Sequence, residues 1–171
     1  MLAKIKPYLI NEKLMTLGMA LIAAAALGMA LIAQYVFDLA PCNLCVIQRY
    51  PYGFVIAFGL LGFFMAEKSP KATAIRMFFI GTSFLINSAI AFYHTGVERL
   101  WWKSALEGCN VPEIDPNNIL ASIEAAPIVR CDEIPWADPI LGLSMANYNV
   151  IFCLGLAVIS YISMRLLWKK D

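Results

Sequence analysis

Four long apolar runs constrain this chain more than any other feature. Leu14 to Phe37 and Tyr50 to Met65 contain no Asp, Glu, Lys, Arg or His; Met77 to Thr95 contains only His94 of that set, and Tyr148 to Met164 contains none. Each run is close to the ~20 residues that cross ~30 Å of hydrocarbon, with flanking residues extending the second and fourth. Buried helices of a soluble bundle would need a polar face on most of them, and these runs lack one. Composition agrees: 61% of the residues are hydrophobic and the mean hydropathy is +0.70, whereas soluble domains are nearer half apolar. The sequence therefore predicts an all-α membrane protein, a four-transmembrane-helix bundle. It reads as a single integral membrane domain over residues 1–171, with spans at about 14–37, 46–65, 74–95 and 145–167 and one long loop at about 96–144.

The first run, preceded by Lys4, Lys6 and Lys13, is longer than the apolar core of a cleaved signal peptide, ~7–15 residues, and is read as a retained span. Net charge is +1, which gives no support for a polyanionic partner such as nucleic acid. The distribution of charge is more informative. Nine of the thirteen basic residues fall on one side of the four spans: Lys4, Lys6 and Lys13, then Lys68, Lys71 and Arg76, then Arg165, Lys169 and Lys170. Arg49, Arg99, Lys103 and Arg130 lie on the other. The positive-inside rule then places both termini in the cytoplasm and the long loop outside.

With that orientation four of the five cysteines face the compartment where disulfides persist. Cys42 and Cys45 form a Cys-x-x-Cys at the outer end of the second span, and Cys109 and Cys131 lie in the loop. Cys153, alone in the fourth span, reads as a small packed hydrophobe. If a helix begins at Cys42, then Cys45 and Arg49 follow at i+3 and i+7 on one face. Thiols at a helix N-terminus are acidified by backbone N–H groups and the helix dipole. A zinc site would draw on two closely spaced pairs, but 21 residues separate Cys109 from Cys131, so no metal is expected. A Cys-x-x-Cys disulfide closes too small a loop to stabilise much. Such pairs serve to be opened and closed. A structural staple is the stronger alternative for Cys109–Cys131. Two pairs on one side, one in a loop and one at the membrane, suggest a relay by thiol–disulfide exchange.

Elsewhere, Pro51 removes a helical hydrogen bond just inside the reactive turn and predicts a kink. Asp38 to Pro41 is a tight connection, so the first two spans are antiparallel neighbours, and the small residues of the first favour close packing. Gln34 reads as interfacial. Tyr93, Trp101 and Trp102 suit the headgroup belt. Asp115-Pro116 opens a short helix toward Ala125, and Pro127, Pro135 and Pro139 keep the segment around Cys131 extended.

A relay needs an electron sink, and if soluble thiols are the substrate the sink is most simply inside the bilayer. A lipid-soluble quinone accepts two electrons without a dedicated cofactor fold. Arg49 is placed to stabilise its developing anionic oxygen, and His94 to donate a proton or hydrogen bond at the same depth. The alternatives are snorkelling to headgroups for Arg49 and an interfacial position for His94.

Pro41-Cys42-x-x-Cys45 followed by Arg49, the four spans, the Tyr93-His94 pair, the two loop cysteines and Gly142-Leu143-Ser144-Met145 together resemble the DsbB family of disulfide bond formation proteins, over essentially the whole chain. The resemblance implies a protein of the bacterial inner membrane that reoxidises a periplasmic, DsbA-like thioredoxin-fold oxidase and passes two electrons to ubiquinone or menaquinone. It implies that Cys109 receives the partner's attacking thiol and that Cys131 links the loop to Cys42. Cys45 is then the thiolate facing quinone, with Arg49 and His94 at the quinone site. Vitamin K epoxide reductases are similar in pairing four helices, cysteines and quinone, but their loop cysteines precede the Cys-x-x-Cys, the reverse of the order here. A non-enzymatic scaffold with a stapled outer loop is the remaining alternative.

Overall fold

The structure, a computed structural model, describes residues 7–64, 69–106, 109 and 129–170. Five helices account for most of them: α1 (Glu12–Tyr35), the short α2 (Asn43–Ile47), α3 (Arg49–Phe64), α4 (Pro70–Glu98) and α5 (Met145–Trp168). With α2 and α3 taken together as Asn43–Phe64, four helices are long and apolar enough to cross a membrane. The protein is thus an all-α, multi-pass membrane protein. The short helix expected from Asp115 to Ala125 lies outside the described residues.

Three of the four long helices start where the sequence supplies a cap. Asn11 accepts from the Leu14 N–H, Ser69 from the Ala72 N–H with Pro70 in the first turn, and Ser144 from the Asn147 N–H. Ser144 and Asn147 form a reciprocal capping box, a device in which the cap alone contributes ~1 kcal/mol. The expected irregularity near Pro51 is present, and it is short. Pro51 cannot donate to the Ile47 carbonyl, and the helix is interrupted at Gln48, one turn earlier.

Helix α4 is the central element. Half of its most apolar stretch is buried, against 22%, 28% and 33% for the other three spans. It packs most extensively on α5, while α1 packs on α3. Met77, Ile80 and Phe84 of α4, Val55 of α3, Ala23 of α1 and Ala157 of α5 form the middle of the core. Leu21, Met29, Phe64, Ile75, Phe78, Ile86, Ile151 and Val158 remain exposed, the pattern expected where lipid covers the outer faces. At the end of the bundle away from the cysteines, Glu12 binds the Thr73 hydroxyl at 3.2 Å and Lys170 at 3.9 Å, so both ends of the described chain meet there.

The small-residue contact expected for the first span is made by Ala20 against Gly59. A methyl group at Gly59 would sit 2.7 Å from the Thr16 carbonyl oxygen and 2.9 Å from the Ala20 Cβ, whereas one at the exposed Gly53 would meet nothing within 4 Å. Gly59→Ala is therefore expected to destabilise the detergent-solubilised protein by ~1–3 kcal/mol. Gly53→Ala should leave it unchanged or slightly more stable. Thermal unfolding of the two variants side by side checks this.

Candidate active site

Cys42 is the N-cap of α2, and its sulfur accepts from the Cys45 backbone N–H at 3.4 Å. The Cys45 sulfur lies 3.3 Å away and the His94 Nε2 3.5 Å away. Cys42 is buried and Cys45 half-buried, and both are free thiols. Cys109 and Cys131 are joined by a disulfide whose Cα atoms are 4.7 Å apart. By loop closure a bond of this span contributes about 3 kcal/mol. Cys42, Leu44, Val97, Cys109 and Cys131 form one buried cluster, with Cys45, Tyr93 and Val129 packed against it. A disulfide from the loop is thus packed on a dithiol at a helix N-terminus. The Cys42 link implied for Cys131 is not the bond present here.

His94 reaches this cluster because α4 runs well beyond its last apolar turn, to Glu98. Its Nδ1 lies 3.0 Å from Gln48 Nε2, its Nε2 lies 3.7 Å from Glu98 Oε1, and the Cys131 backbone also meets the ring. Glu98 in turn accepts from the Ser144 hydroxyl, and Asn147 donates to Thr95 Oγ1 at 2.9 Å, so the start of α5 is tied to the end of α4. The loop leaves α4 in a fixed direction. Trp102 stacks on Tyr93 and donates to its carbonyl at 3.1 Å, and a Cβ at Gly96 would fall 2.0 Å from the Trp102 ring. At the loop's return, Gly142 takes φ +64°, which favours glycine, and its carbonyl accepts from Arg99 at 3.1 Å.

Arg49 opens α3 and is held from another direction. Its Nη1 donates to Gln34 Oε1 at 2.7 Å, and its buried Nε has no partner among the described residues. Five of the six residues singled out from sequence therefore meet in one place, and Arg49 faces Gln34 of α1 instead. Gln34, read as interfacial, is an Arg49 ligand. Gln48, Glu98 and Asn149 escaped sequence reading. The i,i+4 spacing of Glu98 from His94 and of Asn149 from Cys153 was a signal that could have found two of them, whereas the partners of Gln48 on other helices lie 46 and 101 positions away. Cys153, read as a packed hydrophobe, is fully buried but also bonded, with the Tyr52 hydroxyl at 3.2 Å, Asn87 Nδ2 at 3.4 Å and Asn149 Oδ1 at 3.2 Å. Cys42 Sγ, Cys45 Sγ and His94 Nε2 lie within 4.8 Å of one another, a spacing a soft cation would accept. Ligation would occupy both sulfurs that exchange chemistry needs free.

The arrangement favours negative charge on Cys42. The hydrogen shared with Cys45 is the main cause and burial opposes it, while the His94 ring and the Cys45 N–H add to it; together they hold the thiol at about 4, far below the ordinary range.

A multi-pass helical membrane protein that packs a disulfide on an acidified dithiol is, by fold and site, a membrane thiol–disulfide oxidoreductase. Comparison with known proteins specifies which. Residues 12–163 match the family described as DsbB, disulfide bond formation protein DsbB, and the chain belongs to that family. It is 30% identical over 168 residues to disulfide bond formation protein B of Dechloromonas aromatica, covering 91% of each chain. It is 28% identical to disulfide bond formation protein B of Stutzerimonas stutzeri, over 84% of this chain and 86% of that one. It is also 28% identical to an uncharacterized protein, RP370, of Rickettsia prowazekii, over 93% and 90%. No solved structure matches the chain.

The acidity of Cys42 has a definite sign. The value in the folded protein, about 4, lies below the ~8.5 of an unfolded thiol. Ionisation of Cys42 therefore stabilises the reduced fold fully above ~8.5, and that contribution is lost as pH falls toward the folded value. In reduced protein, the ultraviolet thiolate absorbance that disappears with Cys42→Ser should persist through neutral pH and fade only near a pH of about 4. A signal that titrates near ~8.5 would contradict this account.

Proposed function

We propose that this protein is a quinone-linked dithiol oxidase of the bacterial inner membrane that recharges a periplasmic, DsbA-like thioredoxin-fold protein. The observation that carries the reading is the Cys109–Cys131 disulfide packed against the Cys42/Cys45 dithiol. In the relay, a thiolate of the partner attacks Cys109, forming a mixed disulfide and releasing Cys131 as a thiolate. The partner's second thiol resolves that bond and leaves oxidised. Cys131 attacks the Cys42–Cys45 disulfide at Cys42 and frees Cys45. Attack by Cys109 on the Cys131–Cys42 bond then restores Cys109–Cys131 and releases Cys42, leaving the electron pair on Cys42 and Cys45. That is the arrangement described above, a loop disulfide beside a membrane dithiol.

A quinone, ubiquinone or menaquinone, would supply the two-electron, two-proton acceptor that re-forms the Cys42–Cys45 disulfide. The residues present fit such a group. Arg49 has a buried N–H without a partner and a second N–H already oriented by Gln34, so it offers a preorganised donor to an oxygen that gains charge. Cys45, the more exposed of the two thiols, would face it. His94 would support the sulfur pair through Cys42, 3.5 Å from its Nε2.

The same reading places both termini in the cytoplasm and the cysteine pairs in the periplasm. It rests on the nine inner-side basic residues and on the meeting of Glu12 with Lys170 at the end of the bundle away from the cysteines.

With a reduced thioredoxin-fold partner and a soluble quinone, the purified protein is expected to bleach quinone absorbance. Cys45→Ser should abolish that reaction, and a partner lacking its second thiol should accumulate a mixed disulfide with Cys109, because nothing then resolves the bond formed when Cys131 is released. Arg49→Ala should raise the quinone concentration needed by about tenfold or more, the scale of losing a charged hydrogen bond. A folded protein with stably oxidised loop cysteines, no mixed disulfide and no quinone reduction would instead indicate a stapled scaffold.

A further inference from the structure

A chain of side-chain amides runs from His94 into the bundle. Gln48 Nε2 faces His94 Nδ1 at 3.0 Å and the Leu44 carbonyl at 3.2 Å, while its Oε1 accepts from Asn149 Nδ2 at 2.7 Å. Asn149 Oδ1 accepts from the Tyr52 hydroxyl. We infer that Gln48, locked by the Leu44 carbonyl and Asn149, fixes His94 as the Nε2–H tautomer and so aims its one ring N–H at the Cys42 sulfur.

The Leu44 carbonyl settles which end of the Gln48 amide points where. A main-chain carbonyl only accepts, so the Gln48 group facing it must be the NH2. The reversed amide would set Oε1 against the Leu44 oxygen. Tyr52 and Cys153, which touch Asn149 at the far end, have hydroxyl and thiol groups that can donate or accept, so they do not discriminate. Leu44 alone anchors the polarity of the chain. Gln48 then presents a donor to Nδ1, and Nδ1 must be the acceptor. The other ring nitrogen faces acceptors: the Cys42 sulfur at 3.5 Å and Glu98 Oε1 at 3.7 Å. The donor at Nδ1 specifies the tautomer, and the Glu98 carboxylate near Nε2 is compatible with it.

Gln48 is thus a positioning residue that acts on sulfur through His94. In the opposite tautomer the imidazole would turn a lone pair toward Cys42, and the thiolate formed when Cys42 is released would lose a donor. The tautomer assignment stands on geometry alone; its consequence for turnover rests on the dithiol-oxidase reading above.

His94 is the only histidine in the chain, so one labelled residue reports the state directly. Nitrogen NMR of 15N-histidine-labelled protein in detergent, with Cys42 and Cys45 reduced, is expected to show a protonated Nε2 and an unprotonated Nδ1. Gln48→Glu replaces the donor by an acceptor and should move the proton toward Nδ1, whereas Gln48→Leu should leave a mixture. Turnover with partner and quinone should fall about tenfold or more in Gln48→Glu, the scale for losing a group that orients a functional imidazole, in protein whose helical circular dichroism shows it folded. An Nδ1–H signal in the unaltered protein overturns the inference even if no variant folds. Lost turnover with an unmoved tautomer would make Gln48 merely structural, and a reversed tautomer with full turnover would remove its role in the reaction. Neither result bears on the Cys45→Ser test of the relay itself.

Discussion

The site is organised by the convergence of hydrogen-bond donors on the sulfur of Cys42. One comes from its own helix, the Cys45 N–H, a second hydrogen is shared with its partner thiol, and a third comes from the imidazole of α4, 52 residues away in sequence. An N-cap position offers the first to any residue whose side chain accepts. The third exists only if α4 stands against α2 with its last turns intact, and most of the surrounding contacts keep it there. Ser144 and Glu98 join α5 to α4, Asn147 bonds Thr95, and the stacked Tyr93–Trp102 pair sends the loop back over the cysteines.

Polar groups in a span are tolerated where each finds a partner inside the bundle. One such group lies on the cysteine side: Gln48, Tyr52, Asn149 and Cys153 bond one another or His94, and Asn87 joins through Cys153. The middle of the bundle is the apolar cluster around Met77, Ile80 and Val55. This division lets one set of helices do two things. The apolar layer holds α4 and α5 together and α3 against α1, and the polar layer fixes side-chain direction, which apolar packing alone does poorly.

Most of the fold was legible in the chain. Runs without charge have one stable outcome in lipid, and the caps at Asn11, Ser69 and Ser144 mark three of the helix starts. The interruption at Gln48 follows from Pro51. The cysteines and His94 were legible as chemistry because their residue types are rare in such a chain. Their supporting residues were not. Gln48 and Asn149 are 101 positions apart and Gln34 and Arg49 are 15 apart, and a single amide in a span carries no mark of what it will meet. Cys153 shows the same limit: burial was readable from its apolar neighbours, but its bonds to Tyr52 and Asn87 arise only when three helices are assembled.

The two thiols of the Cys-x-x-Cys are chemically unequal, and the inequality follows the state of the loop. With Cys109 and Cys131 joined to each other, the donors act on Cys42, which keeps the charge while Cys45 keeps the shared hydrogen. In the proposed relay, a bond from Cys131 to Cys42 would remove that sulfur as a charge acceptor. Cys45 would then be the one free sulfur beside the same helix N-terminus and, one turn on, Arg49. The family resemblance assigns the reactive thiolate to Cys45, whereas the dithiol geometry favours Cys42. In that relay the two assignments would describe successive states of one pair. A switch of charge from one sulfur to the other would follow from the exchange of a disulfide already packed against the pair.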